Sequence, residues 1–259
     1  MADHSLFISD LHLSVQRPDI TAAFVRFCAE RAMHASSLYI LGDLSDAWLG
    51  DDDDSEIADV LRTEIKKLGD AGVNVFIMVG NRDFLMGQQF ANDCQCKILP
   101  DPSVIQLYGQ PVLLMHGDSL CTSDAEYMGF RAQIRNPDMQ QMLLSKSLDE
   151  RRGIAKMLRE KSRSANATKA SDIMDVTPSE VVKELRDHNV DIMIHGHTHR
   201  PAVHSHITSH SHLTDSDKQV EAKRYVLGDW DSQGWCITAS QNKQSTETSL
   251  SLHLESFDL

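Results

Sequence analysis

Cysteine is scarce in this chain and does not pair. Of 259 residues five are cysteines, Cys28, Cys94, Cys96, Cys121 and Cys236, an odd number scattered along the sequence. A disulfide framework is not expected, and the five read as reduced thiols. Cys94 and Cys96 make a lone CxC with no second pair, which reads as structural rather than as a zinc site. Long apolar runs are lacking too: none approaches the ~18 residues that suggest a membrane span. The opening MADHSLFISD carries no basic stretch ahead of an apolar one, so no secretory leader is expected and the cytoplasm is the expected compartment. Basic residues are outnumbered, with 25 Lys+Arg against 38 Asp+Glu and a net charge of −13. That balance reverses the basic footprint of a nucleic-acid binder, so nucleic acid is not an expected partner.

What is present is apolar material, 41% of the residues, enough for a sizeable core. The length suits one large domain or two small ones at roughly 150 residues each. The first third alternates short apolar strands with amphipathic helices. Leu6–Ser9, Leu38–Leu41 and Val73–Val79 read as strands. Ile20, Ala23, Phe24, Phe27 and Cys28 fall on one helical face, and Ile57, Val60, Leu61, Ile65 and Leu68 mark a second stripe. This β-α-β-α-β opening predicts an α/β (α+β) chain with a mostly parallel interior sheet and helices on its faces.

The second half differs. Val104–Leu107 and Pro111–Met115 flank Tyr108-Gly109-Gln110 as a hairpin, and Val190–Ile194 and Tyr225–Leu227 are further strands. The tail TSLSLHLE over 248–255 alternates with period two. A mixed sheet, or two sheets packed together, is expected. Residues 123–175 read as a helical, Met-rich lid inserted in a single domain spanning 1–259. Within it, Lys146–Lys169 holds eight basic residues against three acidic ones, a local +5 in an acidic chain.

Five short motifs stand at strand ends: Asp10-Leu11-His12, Gly42-Asp43, Gly80-Asn81-Arg82-Asp83, His116-Gly117-Asp118 and His195-Gly196-His197-Thr198-His199. Loops leaving parallel strands converge at the carboxyl edge of a sheet, where ligands gather. Asp10/His12 and His197/His199 are i, i+2 pairs, which point the same way from an extended backbone. Carboxylate, imidazole and amide oxygen without thiolate suit divalent ions such as Mn²⁺, Fe²⁺ or Zn²⁺. One such motif says little, but the ordered set points to a metal centre. Asp83, Asp118 and His195 read as residues that orient ligands. The Asp51–Asp54 run reads as a solvated loop, and His204, His206, His210 and His212 as an exposed one.

The series DxH, GD, GN, H, GHxH resembles the calcineurin-like metallophosphoesterases over nearly the whole chain. That resemblance implies a two-sheet β-sandwich flanked by helices. It also implies two Mn²⁺ ions, bridged by Asp43, with Asp10, His12 and His199 completing one site and Asn81, His116 and His197 the other. Such an ion pair holds a water-derived nucleophile and clamps a phosphoryl group for in-line attack. Many members of the superfamily carry a histidine after Gly-Asn, a general acid for the leaving group. Here Arg82 stands instead, and arginine cannot give up its proton at pH 7. An alkoxide leaving group needs that proton whereas a phosphate does not, so Arg82 favours a pyrophosphate substrate. Asn81 and Arg82 are the expected catalytic residues, Arg82 by bidentate contact with phosphate charge.

The longer stretches YILGDLSDAWLGDDD, GNRDFLMG, LMHGDSLCTSDAEY, SANATKASDIMDV and IHGHTHRPAVH are similar to the bacterial UDP-2,3-diacylglucosamine diphosphatase family of the lipid A pathway. That similarity implies hydrolysis of a UDP-linked diacylated sugar lipid to UMP and 2,3-diacylglucosamine 1-phosphate, with attack on the UMP phosphorus. It implies substrate contacts from Asn81, Arg82, Asp124, Ser162, Asn166, Lys169 and His197. It further implies a peripheral place on the cytoplasmic face of the bacterial inner membrane and no obligate protein partner. Met139, Met142, Leu143, Leu144, Leu148, Met157 and Leu158 could line an acyl groove, Met supplying adaptability, or pack helix on helix. Basic residues beside them could face anionic headgroups. A soluble nucleotide or dinucleotide pyrophosphohydrolase with the same dinuclear core is the alternative. A metal-free scaffold is disfavoured because all seven ligand positions are intact.

Overall fold

Two mixed sheets stand face to face with helices on their outer sides, in a computed structural model that describes residues 4–166, 173, 175–209, 219–242 and 249–259. In the first sheet β1 (His4–Ile8), β2 (Ser37–Leu41) and β3 (Asn74–Met78) run parallel, linked by α1 (Pro18–Glu30) and α2 (Glu56–Asp70). The alternating opening of the sequence is borne out. After α3 (Gln88–Asp93), β4 (Lys97–Leu99) extends the sheet in parallel, and β10 (Gly234–Asn242) and β11 (Ser249–Phe257) close its other side antiparallel. The second sheet has the order β5 (Ser103–Leu107), β6 (Gln110–Leu114), β7 (Ile192–His195), β9 (Gln219–Val226), β8 (Ala202–Ser209). There β6, β7 and β9 are parallel.

Local chemistry sets these elements. Ser55 caps α2 by accepting from Ala58 N at 3.2 Å. Tyr108 and Gly109 have φ of 49° and 84°, the pair of positive values that a tight β5–β6 hairpin requires. Strand alternation then distributes side chains between layers. Leu6 and Ile8 face α1 and α2, whereas Phe7 faces the second sheet. Leu113 and Met193 turn outward under α7 (Pro178–Asp187), whereas Leu114 and Ile194 turn in. Strands covered on both faces are apolar throughout, which is why they show as short unbroken runs. Phe7, Tyr39 and Phe76 stack across three neighbouring strands at centroid spacings of 4.7 Å each.

Between β6 and β7 come α4 (Ala125–Ile134), α5 (Pro137–Leu144) and α6 (Leu148–Asn166), within the stretch expected to be a helical lid. Residues 167–172 and 174 of that stretch lie outside the described residues, as does Thr248 of the alternating tail. His204 and His206 lie on β8, not in a loop; His210 and His212 lie outside the described residues. β8 is a sheet edge, so its polar alternation left no apolar run to mark it.

Candidate active site

Every ligand candidate follows the carboxyl end of a strand: Asp10 and His12 after β1, Asp43 after β2, Asn81 after β3, His116 after β6, His197 and His199 after β7. Backbone bonds carry the ladders into these loops. Asp10 N donates to Gly42 O and His12 N to Asp43 O, both at 3.0 Å, and Gly196 N donates to His116 O at 2.9 Å. The i, i+2 pairs do not converge by strand alternation, however. Asp10, His12, Asp43, His197 and His199 all have φ between 49° and 67°, in the left-handed region. Each such non-glycine residue costs about 1–3 kcal/mol of strain, which clusters where function requires it. Glycine supplies the close approach: a Cβ on Gly80 would collide with Asp43 Oδ1, and one on Gly42 would come within 2.5 Å of His116 Nδ1.

The side chains meet at one place. His12 Nε2 and His199 Nε2 are 3.2 Å apart, and His199 Nε2 is 3.5 Å from Asp10 Oδ1. Asp43 turns one oxygen to each half of the cluster, Oδ1 3.7 Å from His116 Nε2 and Oδ2 3.9 Å from His12 Nδ1. Asn81 Oδ1 is 3.1 Å from His116 Nε2. The His197 ring packs edge-on against His116 with centroids 5.0 Å apart, and His197 N donates to Asp10 Oδ2 at 2.8 Å. Among the described residues two groups have ligand atoms within 4.8 Å of one another, Asp10, His12, His199 and Asp10, Asp43, His116. Asp10 is common to both, beside the Asp43 expected to bridge. Asp10 Oδ1 is buried without a hydrogen-bond partner among the described residues. An orphaned acceptor costs about 1–3 kcal/mol, and a divalent cation between these oxygens and ring nitrogens would satisfy it. The donor set fits such an ion.

Burial raises the Asp43 carboxyl above the usual range, and the charge of Asp10 adds to it. Burial opposes the charge on Asp10 too, but the contact and charge of His199, then the charges of His116 and His12, hold it well below that range. Burial pushes His12 down to about 4 and His197 down to about 3. His116 and His199 go the other way against the same burial. The charges of Asp43, Asp118 and Asp10 lift His116 to about 9, and Asp10 and Asp229 lift His199 to about 10.

A supporting layer fixes the loops. Asp83 accepts from Gly80 N at 2.6 Å and Leu44 N at 2.8 Å, tying the loop after β3 to the loop after β2. Burial, then the charge of Asp43, push Asp83 up to about 6. Arg131 Nε lies 3.0 Å from Asp118 Oδ2, and Arg135 Nη2 donates to Val79 O at 2.9 Å. These arginines fasten α4 to the loops bearing His116 and Asn81. Tyr127 donates to Asp118 Oδ2 at 3.1 Å, and its ring lies 5.3 Å from that of His197. Buried His195 has Nε2 3.0 Å from Arg224 Nη1 and Nδ1 2.8 Å from Gly196 O.

Arg82 N donates to Asp43 Oδ1 at 2.8 Å, and its buried Nε has no partner among the described residues. Asn81 and Arg82 open into a cavity of about 630 Å³ that runs beneath α4, α5 and α6. Met139, Met142, Leu143, Met157 and Leu158 line it, with Ser162 at one wall. Leu144 and Leu148 are not among the lining residues, and Leu144 is exposed. Asp124 does not line it either; its Oδ1 caps α4 by accepting from Tyr127 N at 3.0 Å. The side chain of Asn166, and Lys169 as a whole, lie outside the described residues. Sequence reasoning missed the wall given by the sheet loops, Trp48, Phe84 and Leu85. It also missed Asp229, whose Oδ2 is 3.2 Å from His199 Nδ1. A signal for Asp229 exists: Leu227-Gly228-Asp229 repeats the wording of Leu41-Gly42-Asp43 at the end of another strand.

A family model described as calcineurin-like phosphoesterase matches residues 4–201. The UDP-2,3-diacylglucosamine hydrolase of Cellvibrio japonicus is 50% identical over 92% of this chain and 95% of its own length. Its namesake from Marinobacter nauticus is 50% identical over 92% of this chain and 94% of its own. Another, from Pseudomonas aeruginosa, is 50% identical over 92% and 95%. The chain belongs to the calcineurin-like phosphoesterase family, within which it groups with the UDP-2,3-diacylglucosamine hydrolases.

Proposed function

We propose that this chain hydrolyses the diphosphate of UDP-2,3-diacylglucosamine to UMP and 2,3-diacylglucosamine 1-phosphate. Two Mn²⁺ ions would be held by Asp10, His12, Asp43, Asn81, His116, His197 and His199. The cavity carries this conclusion: it begins at Asn81 and Arg82, beside the ligand cluster, and continues among apolar side chains of α4, α5 and α6. A diphosphate with acyl chains behind it matches that sequence of surfaces, since each CH₂ removed from water contributes about 0.8 kcal/mol. The names of the relatives support the same substrate.

Bound divalent ions would supply neutralisation of phosphoryl charge and a lowered pKa for a coordinated water. The remaining work falls to the chain. Asn81 fixes the phosphate beside His116, and the guanidinium of Arg82, whose Nε is without a partner among the described residues, takes the charge that builds on the diphosphate. The departing sugar phosphate leaves as a weak base, so no side chain need protonate it. The α4–α6 segment acts as a lid on a single domain, excluding water from the acyl chains. Ser162, at the cavity wall, would contact the sugar and phosphate, with Asn166 and Lys169 assigned to the same task by the family likeness alone; Asp124 would act through the cap it gives α4. Among the described residues no helix is long and apolar enough to cross a membrane. Exposed Met142, Leu144 and Met157 beside the cavity support peripheral docking on the cytoplasmic face of the inner membrane, where the substrate is collected.

Hydrolysis in ¹⁸O-labelled water followed by mass spectrometry tests the reading. Label in UMP and none in the sugar phosphate is the expected result. Label in the sugar phosphate would move the attack to the other phosphorus, and absence of both products from the Mn²⁺-loaded protein would overturn the function.

A further inference from the structure

Resting on the two-metal reading above, we propose that Asp229 is a positioning residue for the metal site: its carboxylate keeps the proton of His199 on Nδ1 and so turns the Nε2 lone pair toward Asp10 and His12. His199 has two ring nitrogens and only one can be a ligand. Nε2 is the one that points into the cluster, 3.2 Å from His12 Nε2 and 3.5 Å from Asp10 Oδ1. Neutral imidazole carries one proton, so Nε2 offers a lone pair only when Nδ1 bears that proton. Asp229 Oδ2 stands 3.2 Å from Nδ1, placed to accept it. In the other half of the cluster, His116 has the equivalent arrangement with a backbone acceptor, Nδ1 lying 2.8 Å from Leu41 O. Each half therefore contains one histidine whose far nitrogen is committed, and only at His199 is the acceptor a side chain.

The loop that presents Asp229 is built to hold it still. Leu227 N donates to His195 O at 2.8 Å, and Trp230 N donates to Asp10 O at 3.1 Å, so the residues on both sides are bonded to ligand-bearing loops. The Trp230 ring is 1% exposed and packs edge-on against Phe27 and Phe257. Arg17 grips Asp231 through its carboxylate at 2.5 Å and its carbonyl at 2.6 Å. Asp229 itself makes no contribution of this kind to the core; its side chain is 31% exposed and that of His199 37%. Fixing the loop so firmly makes sense if the ring orientation matters, because a partner carboxylate sets both tautomer and rotation of a ligating histidine.

The test is calorimetric titration of Mn²⁺ into the metal-stripped full chain, with thermal melts of the same stripped samples. Wild-type protein should show two binding steps. In Asp229→Ala one step should weaken by about 10- to 100-fold, the scale for loss of a residue that orients a metal ligand. The other step should stay unchanged, and the melting temperature of the stripped protein should fall only by the small amount that the half-exposed His199–Asp229 ion pair contributes. Asp229→Asn should recover part of the loss, since its amide oxygen still accepts the Nδ1 proton. Two wild-type binding steps in both variants would overturn the role of Asp229 and leave the metal reading standing. Equal weakening of both steps with a lowered melting temperature would mark Asp229 as merely structural. A wild-type chain that takes up no divalent ion would sink the metal reading, and this proposal with it.

Discussion

Arg151 of α6 and Asp52 of the loop after β2 meet fork to fork, Nη1 to Oδ1 at 2.7 Å and Nη2 to Oδ2 at 2.5 Å. Arg151 is only 5% exposed and its Nη1 also donates to Leu49 O at 2.5 Å. The neighbouring pairs repeat the theme, Arg152 with Asp54 and Arg159 with Asp46. Asp51 is occupied as well, accepting from Gly87 N at 2.9 Å and Phe90 N at 3.0 Å at the start of α3. The acidic run is thus a docking strip and not a free solvated loop. Three arginines of the basic section are turned to the protein rather than to anionic headgroups.

Removing Asp52 should loosen α6. Asp52→Ala leaves a buried guanidinium short of an acceptor, and about 1–3 kcal/mol of stability is expected to go with it. The lower half of that range fits best, because Asp52 itself is 59% exposed. Urea denaturation reads the change directly. A wild-type midpoint in this variant would mean that the pair does not hold the helix.

Metal uptake should depend on pH in a defined direction. In the metal-free fold His116 sits at about 9 and His199 at about 10, both above the ordinary 6.5. These two groups contribute stability that is complete below about pH 6.5 and is lost as pH rises through about 9 and 10. A divalent ion must displace the same protons, so its apparent affinity rises with pH across that window. Calorimetry at pH 7 in buffers of different ionisation enthalpy should show proton release on Mn²⁺ binding. Heats that do not vary with the buffer would contradict this assignment.

Arg82→Ala should lower kcat by about 10²-fold or more, the scale of a lost electrostatic stabiliser. The fold should survive, because the bond from Arg82 to Asp43 is made by its backbone N. Arg82→His should not restore diphosphate hydrolysis, since a phosphate leaving group gains little from a proton donor. Steady-state kinetics of the three proteins decide it, and unchanged kcat in Arg82→Ala would remove the guanidinium from the chemistry.

Much of the fold and of the ligand set is legible in the amino-acid sequence. The strands show because both faces are covered, so Leu38, Tyr39, Ile40 and Leu41 form an unbroken apolar run ending at Gly42-Asp43. The ligand candidates show because each closes such a run. The manner of their convergence does not show, since the left-handed backbone of Asp10 and His12 is set by neighbouring loops and not by local propensity. Partnerships across long separations are equally hidden: nothing near Asp52 indicates that Arg151 will face it. His204 and His206 escape notice as strand residues because an edge strand need bury only part of its surface. Asp229 is within reach of the sequence, through the likeness of its Leu-Gly-Asp to the one that ends in Asp43.

The proposed acyl groove admits a selective perturbation at Met157, which lines the cavity yet is 59% exposed, so a charge there should not disturb folding. Leu144 would be the wrong choice, lying off the wall. Met157→Glu should lower kcat/KM for the acylated substrate and leave hydrolysis of a simple UDP-sugar nearly unchanged. Equal losses on both substrates would place the effect on the metal core.

In the proposed function the cavity beside Arg82 binds acyl chains while the metal cluster works on the diphosphate. This is tested most directly by kcat/KM for UDP-2,3-diacylglucosamine and its deacylated counterpart, with the same protein, Mn²⁺ and detergent. Up to about 0.8 kcal/mol per buried CH₂ makes a difference of orders of magnitude the expected result, in favour of the acylated substrate. Equal values would contradict the account and leave a soluble nucleotide pyrophosphohydrolase in its place.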